Sequence, residues 1–141
     1  MNNKTFRPEI ITLEIPSAAR YVSVPRKALE GIVSGLSLTE EEIDDIKLAV
    51  GEASANAIKF SSPDNPSVVV KYCIQNNVIE IEVRNKGQVS KDKLTHIRKP
   101  PIKRLHEGGL GLYLIKRVMD ELHIYSNGTE ITVKMIKRIK R

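Results

Sequence analysis

The chain has 141 residues, of which 40% are hydrophobic and 28% charged, with a formal net charge of +6. These values describe a single globular domain able to bury its own core. They argue against a disordered chain, a collagen-like repeat and a coiled coil. Its apolar runs are too short for a membrane-spanning helix, and residues 1–8 lack the apolar stretch of a signal peptide, which together predict a cytoplasmic protein.

Residues 9–15 read as a strand, ended by Pro16-Ser17, with Ser17 a candidate helix cap. Tyr21, Val24, Ala28 and Ile32 then fall at helical spacing over 18–34. Pro25 conflicts with one continuous helix, so the helix either kinks there or begins near Val24. Gly35 closes it. Thr39, followed three residues on by Glu42, is a capping box. Behind it Ile43, Ile46, Val50, Ala53, Ala57 and Phe60 make one apolar stripe, which predicts a helix that ends at Ser61-Ser62-Pro63. Residues 68–75 and 78–83 read as strands joined by Asn76-Asn77, a hairpin signal. Residues 86–108 are unpatterned and Lys-rich, a length that in a compact domain points to function. A helix is expected from Gly108-Gly109-Leu110-Gly111 to about Leu122, with Leu110, Leu114, Val118 and Leu122 on one side. Strands at 123–126 and 130–136 follow, joined at Asn127-Gly128. The order β-α-α-β-β-loop-α-β-β predicts an α+β fold: a two-layer sandwich of a mostly antiparallel mixed sheet with helices on one face.

Charge is unevenly placed. Six Lys or Arg stand against one Asp from Lys91 to Arg104, and five basic residues lie in 134–141, read as a basic tail. Thr39–Asp45 carries five acids and no base. The six aromatics do not interleave with the basic residues, so the stacking platform of a single-strand nucleic-acid binder is missing. Cys73 is the lone cysteine, inside a strand, and is read as a packed thiol. His96, His106 and His123 show no zinc-ligand spacing.

Three segments could carry chemistry. Glu52 and Asn56 are four apart on the capped helix, so their side chains share one face beside the apolar stripe. A carboxylate and an amide so placed can activate a hydroxyl and hold a hydrated Mg²⁺, with small neighbours leaving room for a ligand. Asn85 ends a half-buried strand, with Gly87 two residues on permitting close backbone approach. Gly108, Gly109 and Gly111 open a helix, where exposed N–H groups and the helix dipole attract phosphate. No Gly-Lys-Ser/Thr follows and no strand immediately precedes, so neither the P-loop nor the Rossmann fingerprint applies. Taken singly, a surface pair, a strand-end turn and a packing hinge also account for these segments.

In combination they carry a family resemblance. The chain resembles the GHKL (Bergerat-fold) ATPases, and within them the small anti-sigma-factor serine kinases of bacteria. Ile46-Lys47-Leu48-Ala49-Val50-Gly51-Glu52-Ala53-Ser54-Ala55-Asn56-Ala57 looks like that family's N box, and Glu107-Gly108-Gly109-Leu110-Gly111-Leu112-Tyr113-Leu114-Ile115 like its second glycine box. The resemblance covers nearly the whole chain and implies a single ATP-binding domain over 1–141. It implies ATP and Mg²⁺ as cofactors, with Glu52 as general base toward a substrate serine and Asn56 as Mg²⁺ ligand. Residues 86–108 would be the ATP lid, with Lys103 or Arg104 reaching the phosphates. Gly87, Gly108, Gly109, Leu110, Gly111 and Leu112 would line the nucleotide, and Thr129 would help hold adenine. The partners would be an anti-anti-sigma protein bearing the serine, a sigma factor, and a second copy of the chain in a homodimer, with no nucleic acid and no membrane.

One position departs from the family pattern. Asn85 stands where the family has an Asp that accepts a hydrogen bond from the adenine amino group. An amide oxygen also accepts, but without the charge. That difference is worth about 1 kcal/mol, roughly fivefold in affinity. The alternative reading is therefore a partner-binding regulator of the same fold with weak or absent catalysis.

Overall fold

A computed structural model of the chain describes residues 7–61, 67–86, 110–126 and 130–139. Strand β1 (Glu9–Pro16) leads through a short 3₁₀ turn (Ala19–Tyr21) to helices α1 (Val24–Val33) and α2 (Glu40–Lys59). Strands β2 (Ser67–Gln75) and β3 (Val78–Lys86) follow, then helix α3 (Leu110–Val118) and strands β4 (Glu121–Ser126) and β5 (Glu130–Arg138). The strands form one sheet in the order β1-β2-β3-β5-β4, and every pairing among the described residues is antiparallel. The α+β class expected from the sequence is the class observed.

The sheet's inner face follows from residue alternation. Val68, Val70 and Tyr72 on β2, Ile79, Ile81 and Val83 on β3, and Ile131, Val133 and Met135 on β5 are all buried. Helix α2 lies over β2, β3 and β5, with α1 and α3 packed against it. Ile46, Val50, Ala53 and Ala57 of α2 supply the facing layer. The opposite face of the sheet carries a charged pair, Lys134 to Glu80 at 3.5 Å.

Local chemistry sets the element boundaries. Pro25 is no kink: α1 begins at Val24, so Pro25 occupies the first turn, where its missing N–H is no loss. Gly35 follows the helix with φ of +96°, a conformation glycine adopts without a Cβ penalty. Ser17 does not cap a helix; its hydroxyl donates instead to the Ile58 carbonyl at the end of α2. Asn76 and Asn77 both take positive φ, 50° and 62°, as a two-residue hairpin turn of the primed type needs.

Two expectations need correction. Helix α3 stops at Val118 rather than Leu122, and Leu122 belongs to β4. The buried residues of this region are Leu112, Ile115 and Met119, not the stripe through Leu114 and Val118. The cause is competition from β5. The Asp120 N–H donates to the Ile136 carbonyl, and the Asp120 carboxylate accepts the Arg138 N–H. These bonds draw the chain into the sheet two residues past the helix. The basic run is likewise no tail as far as Arg138. Lys134 and Lys137 lie within β5, Arg138 ends it paired with Glu121, and Ile139 beyond it is buried. Cys73 is half-buried on β2, pointing away from the helices.

One buried polar bond ties the two layers. The Tyr72 hydroxyl donates to the Pro25 carbonyl at 2.6 Å, and the ring is fully buried. Burial pushes the Tyr72 phenol well above its ordinary value. The unfolded chain ionises its tyrosines from about pH 10, whereas folded Tyr72 stays protonated. Its contribution is therefore complete below that pH and fades as pH rises above it. Tyr72→Phe should cost about 1–2 kcal/mol near neutral pH through the lost bond. It should also lose less stability than the native chain between pH 9 and about pH 11. Urea unfolding across that pH range measures both effects.

Candidate active site

The site is built on α2. Its start is fixed by the capping box: the Glu42 N–H donates to Thr39 Oγ1 at 3.0 Å, and the Thr39 N–H donates to Glu42 Oε1 at 2.9 Å. Such caps are worth about 1 kcal/mol. Glu40, Glu41 and Glu42 in the first turn and Lys59 in the last suit the helix dipole. With the inward face assigned to Ile46, Val50, Ala53 and Ala57, Glu52 and Asn56 fall at the edge of the buried stripe, and both are half-buried.

Helix α3 is placed against this edge. A Cβ built on Gly111 would sit 3.0 Å from Glu52 Oε2, 3.2 Å from Asn56 Nδ2 and 3.7 Å from Asn56 Cγ. The second residue of α3 thus touches the carboxylate and the amide together, and only a glycine leaves both at ease. The Asn56 carbonyl accepts the Phe60 N–H at the end of α2, but among the described residues neither the Glu52 nor the Asn56 side chain has a hydrogen bond or ion pair. The far end of α3 is held by Lys137. Its ammonium donates to the Val118 carbonyl at 2.6 Å and lies 3.4 Å from Asp45 Oδ2 on α2. A cation on the last carbonyls of a helix suits the dipole. Lys137 therefore links α2, α3 and β5 in one contact.

Asn85 continues the inward row of β3 beyond Val83, between Val68 of β2 and Ile131 of β5. It is 5% exposed, and among the described residues its Nδ2 has no hydrogen-bond partner. Ser54 of α2 is fully buried, and its Oγ is the other unpartnered buried side-chain atom among the described residues. Sequence reading noted Ser54 only as a small neighbour, and it did not single out Lys137.

Of the residues expected in the site, Glu52, Asn56 and Gly111 are brought together. Asn85 is buried on the sheet beneath the helices. Leu112 packs in the hydrophobic core. Leu110 opens α3. Gly87, Lys103, Arg104, Gly108, Gly109, Thr129 and residues 87–108 of the expected lid lie outside the described residues. Those described also hold no group of three His, Cys, Asp or Glu side chains placed to bind a metal, and no helix long and apolar enough to cross a membrane.

The geometry fits a nucleotide with a hard cation. Gly111 leaves a space that any Cβ would fill. Glu52 and Asn56 offer oxygen atoms, the ligand type that Mg²⁺ prefers. Asn85 offers an amide terminus that has no partner among the described residues. A helical layer with a carboxylate–amide pair, closed by a glycine at the start of the next helix and laid on an antiparallel sheet, defines an ATPase domain of the histidine kinase-like class. The sequence pattern of that class, the histidine kinase-like ATPase domain, matches residues 15–137.

The relatives are more specific. The chain is 34% identical to the serine-protein kinase RsbW of Bacillus pumilus over 143 residues, covering 94% of this chain and 88% of the relative. It is 35% identical to the serine-protein kinase RsbW of Staphylococcus aureus over 144 residues, covering 96% and 90%. The chain belongs to this family of RsbW serine-protein kinases. Its fold is also that of the crystal structure of the RsbU and RsbW domains of a Mycobacterium tuberculosis protein, with a TM-score of 0.71 at 16% identity. That match covers 94% of this chain and 33% of the solved one.

Proposed function

We propose that the chain is a cytoplasmic anti-sigma factor and ATP-dependent protein serine kinase that phosphorylates a small anti-anti-sigma protein and sequesters a sigma factor by partner switching. The observation that carries the reading is the meeting of Glu52 and Asn56 at Gly111, in a chain one-third identical to serine-protein kinases. Glu52 takes the proton from the substrate serine hydroxyl as the oxygen becomes a nucleophile. Asn56 holds Mg²⁺ through its amide oxygen. ATP with its Mg²⁺ supplies the phosphoryl group. Gly111, by lacking a side chain, lets the carboxylate and amide keep their positions, and Asn85 faces the base. The whole chain acts as one domain, and a homodimer is the working unit.

The test is intact-mass analysis of a candidate anti-anti-sigma protein after incubation with the chain and Mg-ATP. Addition of one phosphate to the partner is the expected result. The neutral Asn85 favours a second reading, a partner-binding module without turnover. A stable complex with an unmodified partner would select that reading, and neither complex nor phosphate would overturn both.

A further inference from the structure

We infer that the site accepts 6-oxopurine nucleoside triphosphates, GTP among them, alongside ATP, and that Asn85 sets this breadth. The inference rests on the nucleotide-binding reading above and deepens it.

The starting observation is an unsatisfied donor. Asn85 is 5% exposed, it stands in a row of aliphatic side chains between Val68 and Ile131, and among the described residues its Nδ2 meets no acceptor. Buried polar groups nearly always find a partner, and among the described residues the Asn85 Nδ2 has none, which leaves it able to meet a ligand. The other orphan among the described residues, Ser54 Oγ, lies between Glu52 and Asn56 in the sequence of α2, the helix that packs on β3. The unpartnered polar atoms thus come one from each side of the seam between helix and sheet.

The amide's chemistry decides what that partner can be. Purines differ at position 6: adenine carries an amino group that donates, guanine a carbonyl oxygen that accepts. A carboxylate at position 85 would only accept. It would bond the adenine amine but set a charged acceptor against the guanine oxygen, itself an acceptor. A site whose buried polar group is left unpaired rejects the wrong ligand strongly. An amide has one terminus of each kind. It bonds the adenine amine through Oδ1, or, turned over, the guanine or hypoxanthine oxygen through Nδ2. Neither ligand leaves it facing a like group, and no charge favours one over the other. The same substitution that weakens the contact with adenine removes the barrier to a 6-oxopurine.

The experiment is equilibrium binding of Mg-ATP, Mg-GTP and Mg-ITP to the full chain and to Asn85→Asp, with a thermal melt of each protein. ITP shares the 6-oxo group and the N1–H of guanine but lacks the 2-amino group, so it removes any contribution of that amino group. The native chain should bind GTP and ITP within about tenfold of ATP. In Asn85→Asp the ratio of ATP to 6-oxopurine affinity should rise by about fiftyfold, through tighter ATP and weaker GTP and ITP. ATP binding with both 6-oxopurines excluded by about a hundredfold or more overturns the inference and leaves the kinase reading standing. An unchanged ratio in a folded Asn85→Asp also overturns it. Binding of none of the three to the folded native chain overturns the nucleotide reading and the inference with it. Should Asn85→Asp fail to fold, the native chain's ITP-to-ATP ratio decides alone.

Discussion

Glu52→Ala should reduce phosphoryl transfer to the partner by about 10²–10⁴-fold, the usual contribution of a positioned general base. The side chain is half-buried, and among the described residues it has no hydrogen bond or ion pair whose loss would unsettle the fold. Alanine is the best helix former, so α2 should persist and the thermal midpoint should move little. Nucleotide affinity should stay within about threefold, because a base that works in the transition state adds little to ground-state binding. Glu52→Gln refines the test by keeping the size and polarity while removing the base. Equal losses in the two variants assign the effect to the carboxylate charge and its proton affinity. Normal transfer in either would mean that the serine proton leaves by another route.

Much of the frame that holds this carboxylate was legible because its signals are local. Thr39 and Glu42 sit in one turn, and the stripe from Ile46 to Ala57 repeats at the helix period. The hairpin at Asn76-Asn77 is set by two residues that tolerate positive φ. The spacing of Glu52 and Asn56 on one helix face also needs nothing beyond the helix itself. What sequence reading missed involves residues far apart in the chain. The end of α3 is decided by bonds from Asp120 to Ile136 and Arg138, which no window around Val118 contains. Ser17 is taken by Ile58, and Lys137 by Val118 and Asp45. The hydroxyl of Tyr72 is committed to Pro25. For Asn85 the sequence showed the residue type and the strand end. The sheet register adds its aliphatic neighbours, and the described residues offer its Nδ2 no acceptor.

Gly111→Ala should separate stability from activity, because the two respond with opposite signs. Within a helix alanine is favoured over glycine by about 0.5–1 kcal/mol, so the substitution should hold or raise the melting temperature. The new methyl, however, would lie 3.0 Å from Glu52 Oε2 and 3.2 Å from Asn56 Nδ2, and the groups that must yield are the ends of those two side chains. Side-chain termini shift more readily than backbone, so the fold survives while the carboxylate and amide give by a few tenths of an ångström. A shift of that size is less than the misplacement of about 1 Å that costs about 10²-fold, so transfer should fall by about three- to tenfold. The loss falls on transfer and the helix gain on stability, which is why activity and melting temperature should diverge. Gly31→Ala is the control. Gly31 is an exposed residue of α1, and a Cβ there would meet nothing within 4 Å, so this variant should gain stability and keep full transfer activity. Activity retained in Gly111→Ala would show that Glu52 and Asn56 tolerate the methyl in place. A shared loss in both variants would point to the stiffening of helices rather than to the contact of Gly111 with the carboxylate–amide pair.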